Sequence, residues 1–259
     1  MTERISTGMR NAILAMKREI LSDFVRKVYT GTPPAEGDDA KTGTLLVTIT
    51  KSSGTVDSNE RSTPGRWSVT IPGVHVAGTY AVSITTADSV TPITCTYDTT
   101  DPEGHASNDD IAKGLARKIR EGCPQVFAIA EGANSKLYIQ GRVGGLDISA
   151  VVDGAGTVTI VTFSEIEVAA RCDALYYAAP SDGSMSKSSD TWSGLIAATG
   201  VAGYFRDVLP DDDGTESTTQ KRLQGAIATS GAEMNMGNTT LIVTETHTVA
   251  TYSITEPAE

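Results

Sequence analysis

The 259-residue chain carries 21 Lys and Arg against 32 Asp and Glu, a formal net charge of −11, and no dense cationic cluster offsets the excess. That balance argues against a nucleic-acid partner, because tracking a phosphate backbone draws on clustered cations that displace counterions. With 39% apolar and only 5% aromatic residues, the composition fits a light, β-rich globular protein with a real core and excludes a disordered chain.

Three widely spaced cysteines, Cys95, Cys123 and Cys172, form neither a C-x-x-C pair nor an even disulfide framework. They read as small buried residues of a protein folded in a reducing cytosol. No run of about 18 apolar residues could cross a bilayer, and the opening MTERISTGMRNAIL lacks the apolar core of a secretory signal, so neither a membrane nor the usual secretion route is expected.

Taken in chain order, the first element is a helix. Met9, Ile13, Met16, Ile20 and Phe24 fall at steps of 4, 3, 4 and 4, one apolar stripe with Arg10, Lys17, Arg18 and Glu19 around it. Ser6 or Thr7 supplies the cap. The stripe predicts a docking face toward the end of a sheet, or a helix offered to a neighbouring subunit.

Short strands are predicted at Val25 to Thr30 and at Thr44 to Thr50, separated by GTPPAEGDDAKTG, whose Pro33 and Pro34 stop both helix and ladder. The polar stretch Lys51 to Arg66 reads as a linker. Beyond it WSVTI, GTYAVSITT and ITCTYDTT read as strands. SNDDIAKGLARKIREG then reads as a helix with Ile111, Leu115 and Ile119 on one face, a Ser107–Asp110 capping box and a Gly122/Pro124 stop. VFAIAEG, KLYIQGR and VTIVTF supply further strands, and GRVGG, residues 141–145, a hairpin turn.

Residues 168–259 return to the first texture. Thr191 to Ile254 is predicted to form several strands of one antiparallel sheet, the firm ones being VAGYFRDV, LQGAIATS, TTLIVTE and VATYSIT. The predicted fold class is therefore mainly β: an antiparallel β-sandwich-like domain with an N-terminal helix, residues 1–66 and 168–259, interrupted by an inserted small α+β module, residues 67–167.

No residue set points to chemistry. His75, His105 and His247 are scattered and offer no triad base, and no serine sits in a G-x-S-x-G elbow. Around His105, the residues Asp98, Asp101, Glu103, Asp109 and Asp110 are dense enough in oxygen to consider Ca²⁺, but the spacing is not that of a calcium loop, and Asp109 and Asp110 suit a helix N-terminus. Asp211-Asp212-Asp213-Gly214 reads as a turn before it reads as a cation site. A carboxylate pair for glycoside hydrolysis needs only proximity in space, yet two Trp are few for a sugar cleft. The expectation is a non-enzyme with no catalytic, cofactor-binding or metal-binding residues. What the texture suits is assembly: Gly194, Ala197, Ala198, Gly200, Ala202 and Gly203 let backbones or neighbouring chains approach closely, and antiparallel strands leave edges open to strand addition.

Two groups of segments carry a resemblance. ISTGMRNAIL, VYTGTPPAEGDDAKTGTLLVTIT, WSGLIAATGVAGYFR and RLQGAIATSGAEMNMGNTTLIVTETHTVATYSITEP resemble small structural proteins of tailed bacteriophages. GTYAVSITT with NDDIAKGLARKIREG and KLYIQG resembles the β-module of phage tail tubular, nozzle and sheath proteins. The resemblance implies a virion structural protein assembled in the bacterial host cytoplasm. Its partners would be itself, as a homo-oligomer, and other virion proteins, at a tube, collar or nozzle; capsid decoration is the alternative and a host-surface binding module a second. It supplies no catalytic or ligand residues.

Overall fold

The computed structural model of the chain describes residues 4–57, 61–71, 73, 75–89, 91–100, 107–132, 134–160 and 162–258. In chain order the elements begin with α1 (Thr7–Leu21), β1 (Val25–Thr30), β2 (Leu45–Ile49), β3 (Arg66–Thr70), β4 (Thr79–Thr86) and β5 (Ile93–Asp98). Then come α2 (Asn108–Gly122), β6 (Val126–Glu131), β7 (Lys136–Gly141), β8 (Ile148–Asp153) and β9 (Thr162–Glu167). The remainder holds β10 (Ser184–Ser186), β11 (Ser193–Leu195), β12 (Gly200–Val208), β13 (Arg222–Ala228), β14 (Met234–Asn235), β15 (Thr240–Leu241), β16 (Thr246–Thr248) and β17 (Ser253–Thr255).

The fold is mainly β, with several antiparallel sheets and an N-terminal helix. It divides into two compact units, Met1–Arg61 with Cys172–Glu259, and Ser62–Arg171. These boundaries lie four or five residues outside those read from composition. The reason is a backbone bridge: Thr63 and Ala170 exchange N–H···O bonds of 2.8 and 2.9 Å, continuing the pairing of β3 with β9 into the polar segment that reads as linker.

In the first unit the principal sheet runs β14-β13-β12-β1-β2, with β15 also paired to β12. Its middle strand, β12, pairs antiparallel with β1 and β13, and only β13–β14 is parallel. Thr191 to Ile254 therefore does not form one sheet by itself. Its β11 and β16 pair with each other, β17 pairs with β10, and β1 and β2 arrive from the N-terminal flank to complete the main sheet. TTLIVTE and VATYSIT shrink to ladders of two and three residues. Leu14, Phe24, Val28, Leu46, Ile49, Trp192 and Phe205 lie in the core.

Two glycines of the small-residue stretch are required inside the unit. A Cβ on Gly203 would lie 1.8 Å from the Gly31 carbonyl oxygen, and one on Gly194 would lie 2.2 Å from that of Thr48. The close approach is made by the chain to itself.

On one face of β1 and β12 the rings of Tyr29 and Tyr204 stack with centroids 5.1 Å apart. The Pro-containing loop and the aspartate loop meet there, through Lys41 N–H to Gly214 O at 2.7 Å and Ser217 N–H to Asp38 O at 2.8 Å.

The second unit holds two sheets, β6-β7-β3-β9 and β5-β4-β8, with α2 packed against both. Ser107 caps α2 by accepting from Asp110 N–H, and Ile111, Ala112, Leu115, Ala116 and Ile119 turn into the core. Residues 141–145 form no hairpin: β7 pairs with β3 and β6 whereas β8 pairs with β4, so the stretch carries the chain from one sheet to the other, turning at Gly145 (φ 73°). The strand read at VTIVTF lies later, at Thr162–Glu167, and β8 has no counterpart in the sequence reading.

Candidate functional site

The apolar stripe of α1 faces solvent. Ser6 starts the helix by accepting from Met9 N–H at 3.2 Å, and Leu14, Arg18 and Leu21 form its buried side. Arg18 can be buried because Nε donates to Tyr177 O at 2.7 Å and its guanidinium lies 4.9 Å from the Tyr176 ring centroid. Asn11 Oδ1 accepts from Gly183 N–H at 2.8 Å and Lys17 pairs with Glu256 at 2.5 Å. With the helix anchored through those groups, Met9 is 54%, Met16 65% and Ile20 43% exposed, and Ile13 is half-buried; of the stripe only Phe24, beyond the helix, is in the core. The expected docking face toward the sheet is thus corrected to the opposite face.

Ile20 stands between two clefts. One, of ≈460 Å³, is lined by Met16, Glu19, Ile20, Phe24, Leu209 and Lys221 among others. The other, of ≈190 Å³, is lined by Lys17, Ile20, Leu21, Arg222, Leu223 and Ile254.

A second apolar surface of the same unit gathers around the start of β12. Leu195 is 60%, Val201 58%, Ile242 49% and Val243 42% exposed. These residues belong together because Val201 pairs with Thr240, Ile196 N–H donates to Glu245 O at 2.9 Å and Val243 N–H to Thr199 Oγ1 at 3.0 Å. Ile242 and Val243 lie in a turn closed by Glu245 N–H to Ile242 O at 3.2 Å, with Thr244 at φ 77°. A β-branched residue in that region costs on the order of 1–3 kcal/mol, so this apolar turn tip is held by its surroundings.

Strand addition, the other expected route to assembly, is blocked at one edge. On the unpaired side of β6, Val126 O accepts from Arg142 Nε at 3.0 Å and Ala128 O from Arg120 Nη1 at 2.6 Å. Guanidinium groups on edge carbonyls deny them to an incoming strand.

The residues weighed for chemistry are engaged elsewhere or apart. His247, in β16 of the first unit, is half-buried opposite Gly194, and burial lowers its pKa; His75 lies in the second unit. His105, Asp101 and Glu103 lie outside the described residues. Of their acidic neighbours, Asp98 accepts from Thr100, Asp109 from Ser135 and Asp110 from Ser107. Asp212 is held by Arg222 through bonds of 2.6 and 2.8 Å and accepts from Gly214 N–H. Burial pushes its pKa up, but the bonds from Arg222 and Gly214 outweigh this and hold it below the usual carboxylate range. Among the described residues no group of three or more His, Cys, Asp or Glu is placed to hold a metal ion. Cys95 and Cys123 are buried, and burial raises both thiol pKa values, that of Cys123 to about 11.

The most perturbed ionisable cluster is structural. Arg26 and Asp207, opposite each other on β1 and β12, form a fully buried bidentate pair at 2.7 and 2.8 Å. Tyr177 Oη donates to Asp207 at 3.0 Å, and the guanidinium lies 3.8 Å from the Tyr252 ring centroid and 4.1 Å from that of Phe205. Burial alone would lower the Arg26 pKa, but Asp207 raises it beyond its ordinary value. Desolvation, then the Asp207 charge, holds Tyr177 far above 10, so neither group exchanges a proton near neutrality. Sequence reasoning missed this pair. The available signal was Arg26-Lys27 side by side in a six-residue strand, since alternation turns one of the two inward.

Protein-family models, curated proteins and solved structures were all compared with the chain, and none matches. The candidate site therefore rests on geometry: two exposed apolar surfaces of the first unit, one helical and one formed by loops and short strands.

Proposed function

We propose that the protein is a non-enzymatic structural component of a tailed-bacteriophage virion, assembling by self-association and by contact with neighbouring tail or head-to-tail proteins. The observation that carries the reading is the solvent-facing stripe of α1: three large apolar side chains, each more than 40% exposed, on a helix whose other side already packs on its own unit. Exposed apolar surface of this kind marks a place for another protein. The resemblance of both flanks to phage structural proteins supplies the setting.

The test is labelled-antibody electron microscopy of particles from the source phage. Label on the tail or neck is the expected result. Label over the head would move the protein to capsid decoration, and unlabelled particles with accessible epitopes would remove the virion reading altogether.

A further inference from the structure

Two arginines are buried on opposite faces of the main sheet, and only one of them has a carboxylate. Arg26 turns to Asp207. Arg206, the residue before Asp207 on β12, turns to the other face, where Tyr29 and Tyr204 stack, and is 1% exposed. Its Nε donates to Gln224 Oε1 at 2.9 Å and its Nη2 to Asp39 O at 2.8 Å. Both acceptors are neutral. Nη1 is sealed from solvent and has no partner among the described residues.

The rest of that face does not supply the missing charge. Arg222 pairs with Asp212 through bonds of 2.6 and 2.8 Å, with both side chains no more than 2% exposed. Two buried guanidiniums therefore stand beside one buried carboxylate, an excess of one positive charge. Lys27, opposite Arg206 on β1, is half-buried and adds to the excess, since its Nζ donates to a carbonyl, Asp212 O, at 2.6 Å. Asp38, Asp211 and Asp213 belong to the same two loops but are exposed, where solvent screens them, and Asp39 Oδ2 accepts from Glu36 N–H at 2.9 Å. Burial works against both buried arginines. Asp207 more than restores the proton affinity of Arg26, whereas at Arg206 the like charge of Arg222 adds to burial and the pKa is lowered.

A buried polar atom without a partner calls for a water or an ion. Water satisfies the N–H but leaves the charge, which is costly away from solvent; an anion answers both. We propose that this face of the sheet binds a small monovalent anion of the halide class, held by Arg206 Nη1 beneath the Pro-containing and aspartate loops. One negative charge matches the excess of the two guanidiniums over Asp212. The loops hang on the same cations, through Arg206 to Asp39 O and through Arg222 to Asp38 O and Thr215 O, so an anion that steadies the cations also fastens both loops. The site is independent of the virion reading.

The test is thermal unfolding of the full chain in a Trp67→Phe background, followed by Trp192 emission so that the first unit is reported, with chloride exchanged for gluconate at constant ionic strength. The expected result is a midpoint that rises with the logarithm of chloride concentration once the site fills, and a response that is flat when Arg206→Gln is added. A parent indifferent to the exchange, or an Arg206→Gln variant that keeps the parent's response, overturns the proposal. If circular dichroism shows that Arg206→Gln does not fold, anomalous scattering from a bromide-soaked crystal of the parent decides. A peak beside Arg206 Nη1 sustains the site, and its absence there overturns it.

Discussion

Replacing Arg26 by Met tests whether the buried ion pair acts as a unit. Met keeps an unbranched apolar stem against Tyr252 and Phe205 but leaves Asp207 in the core with only Tyr177 donating to it. Charge centres roughly 4 Å apart attract by about 4 kcal/mol at an effective dielectric constant near 20. Stranding one member of such a pair characteristically costs about 3–5 kcal/mol, while replacing both by apolar residues costs little. The expectation is a loss of about 3–5 kcal/mol for Arg26→Met, recovered to within about 1–2 kcal/mol in Arg26→Met/Asp207→Leu.

Each unit contains one tryptophan, Trp192 in the first and Trp67 in the second. Urea unfolding followed by Trp192 emission in a Trp67→Phe background therefore reports the first unit, and a double-mutant cycle isolates the coupling. A single-variant loss below about 1 kcal/mol, or a double variant no more stable than the single, would refute the reasoning.

Further predictions concern both units. Gly114→Ala sets a Cβ 2.2–2.4 Å from atoms of the Tyr97 ring, so the second unit should lose about 1–3 kcal/mol, checked by its unfolding midpoint against a surface Ala control. Ser107→Ala removes the α2 cap and should cost about 1 kcal/mol in the same assay, with Ser107→Asp retaining most of it. Burial pushes Tyr252 up to about 12 and holds Tyr177 well above its ordinary value, so as pH rises past 10 unfolded tyrosines ionise before these do. First-unit stability is then complete below pH 10 and falls as pH rises; Tyr252→Phe should flatten that fall, and equal slopes would exclude this cause. The lowered pKa of Asp212 acts at the other end: its contribution is present above the ordinary carboxylate pKa and is lost as pH falls below it, a loss that Asp212→Asn should remove from the acid limb of the same titration.

Local signals located much of the fold. Val25 to Thr30 and the short apolar run VAGYFRDV were legible as strands β1 and β12, and Ser107 with Ile111, Leu115 and Ile119 placed α2 and its inward face. What failed depended on partners distant in sequence. The α1 stripe was identified residue by residue but turned the wrong way, because Arg18 counts as polar until a carbonyl 159 residues away accepts a hydrogen bond from its Nε–H. β8 was missed because its buried residues, Ile148 and Val151, are three apart and imitate a helical step. The loop surface was legible only through its small residues; that Leu195 and Val201 stay uncovered follows from how β11, β12 and β15 end.

The bridge between Thr63 and Ala170 brings the two ends of the second unit side by side. A segment that enters and leaves through neighbouring hydrogen-bonded residues can be excised and its stumps rejoined by a few flexible residues without stretching the host. The same seam offers a place for fluorescent proteins, affinity tags or foreign epitopes to be spliced in, and it gives evolution a socket in which one such cassette can be exchanged for another.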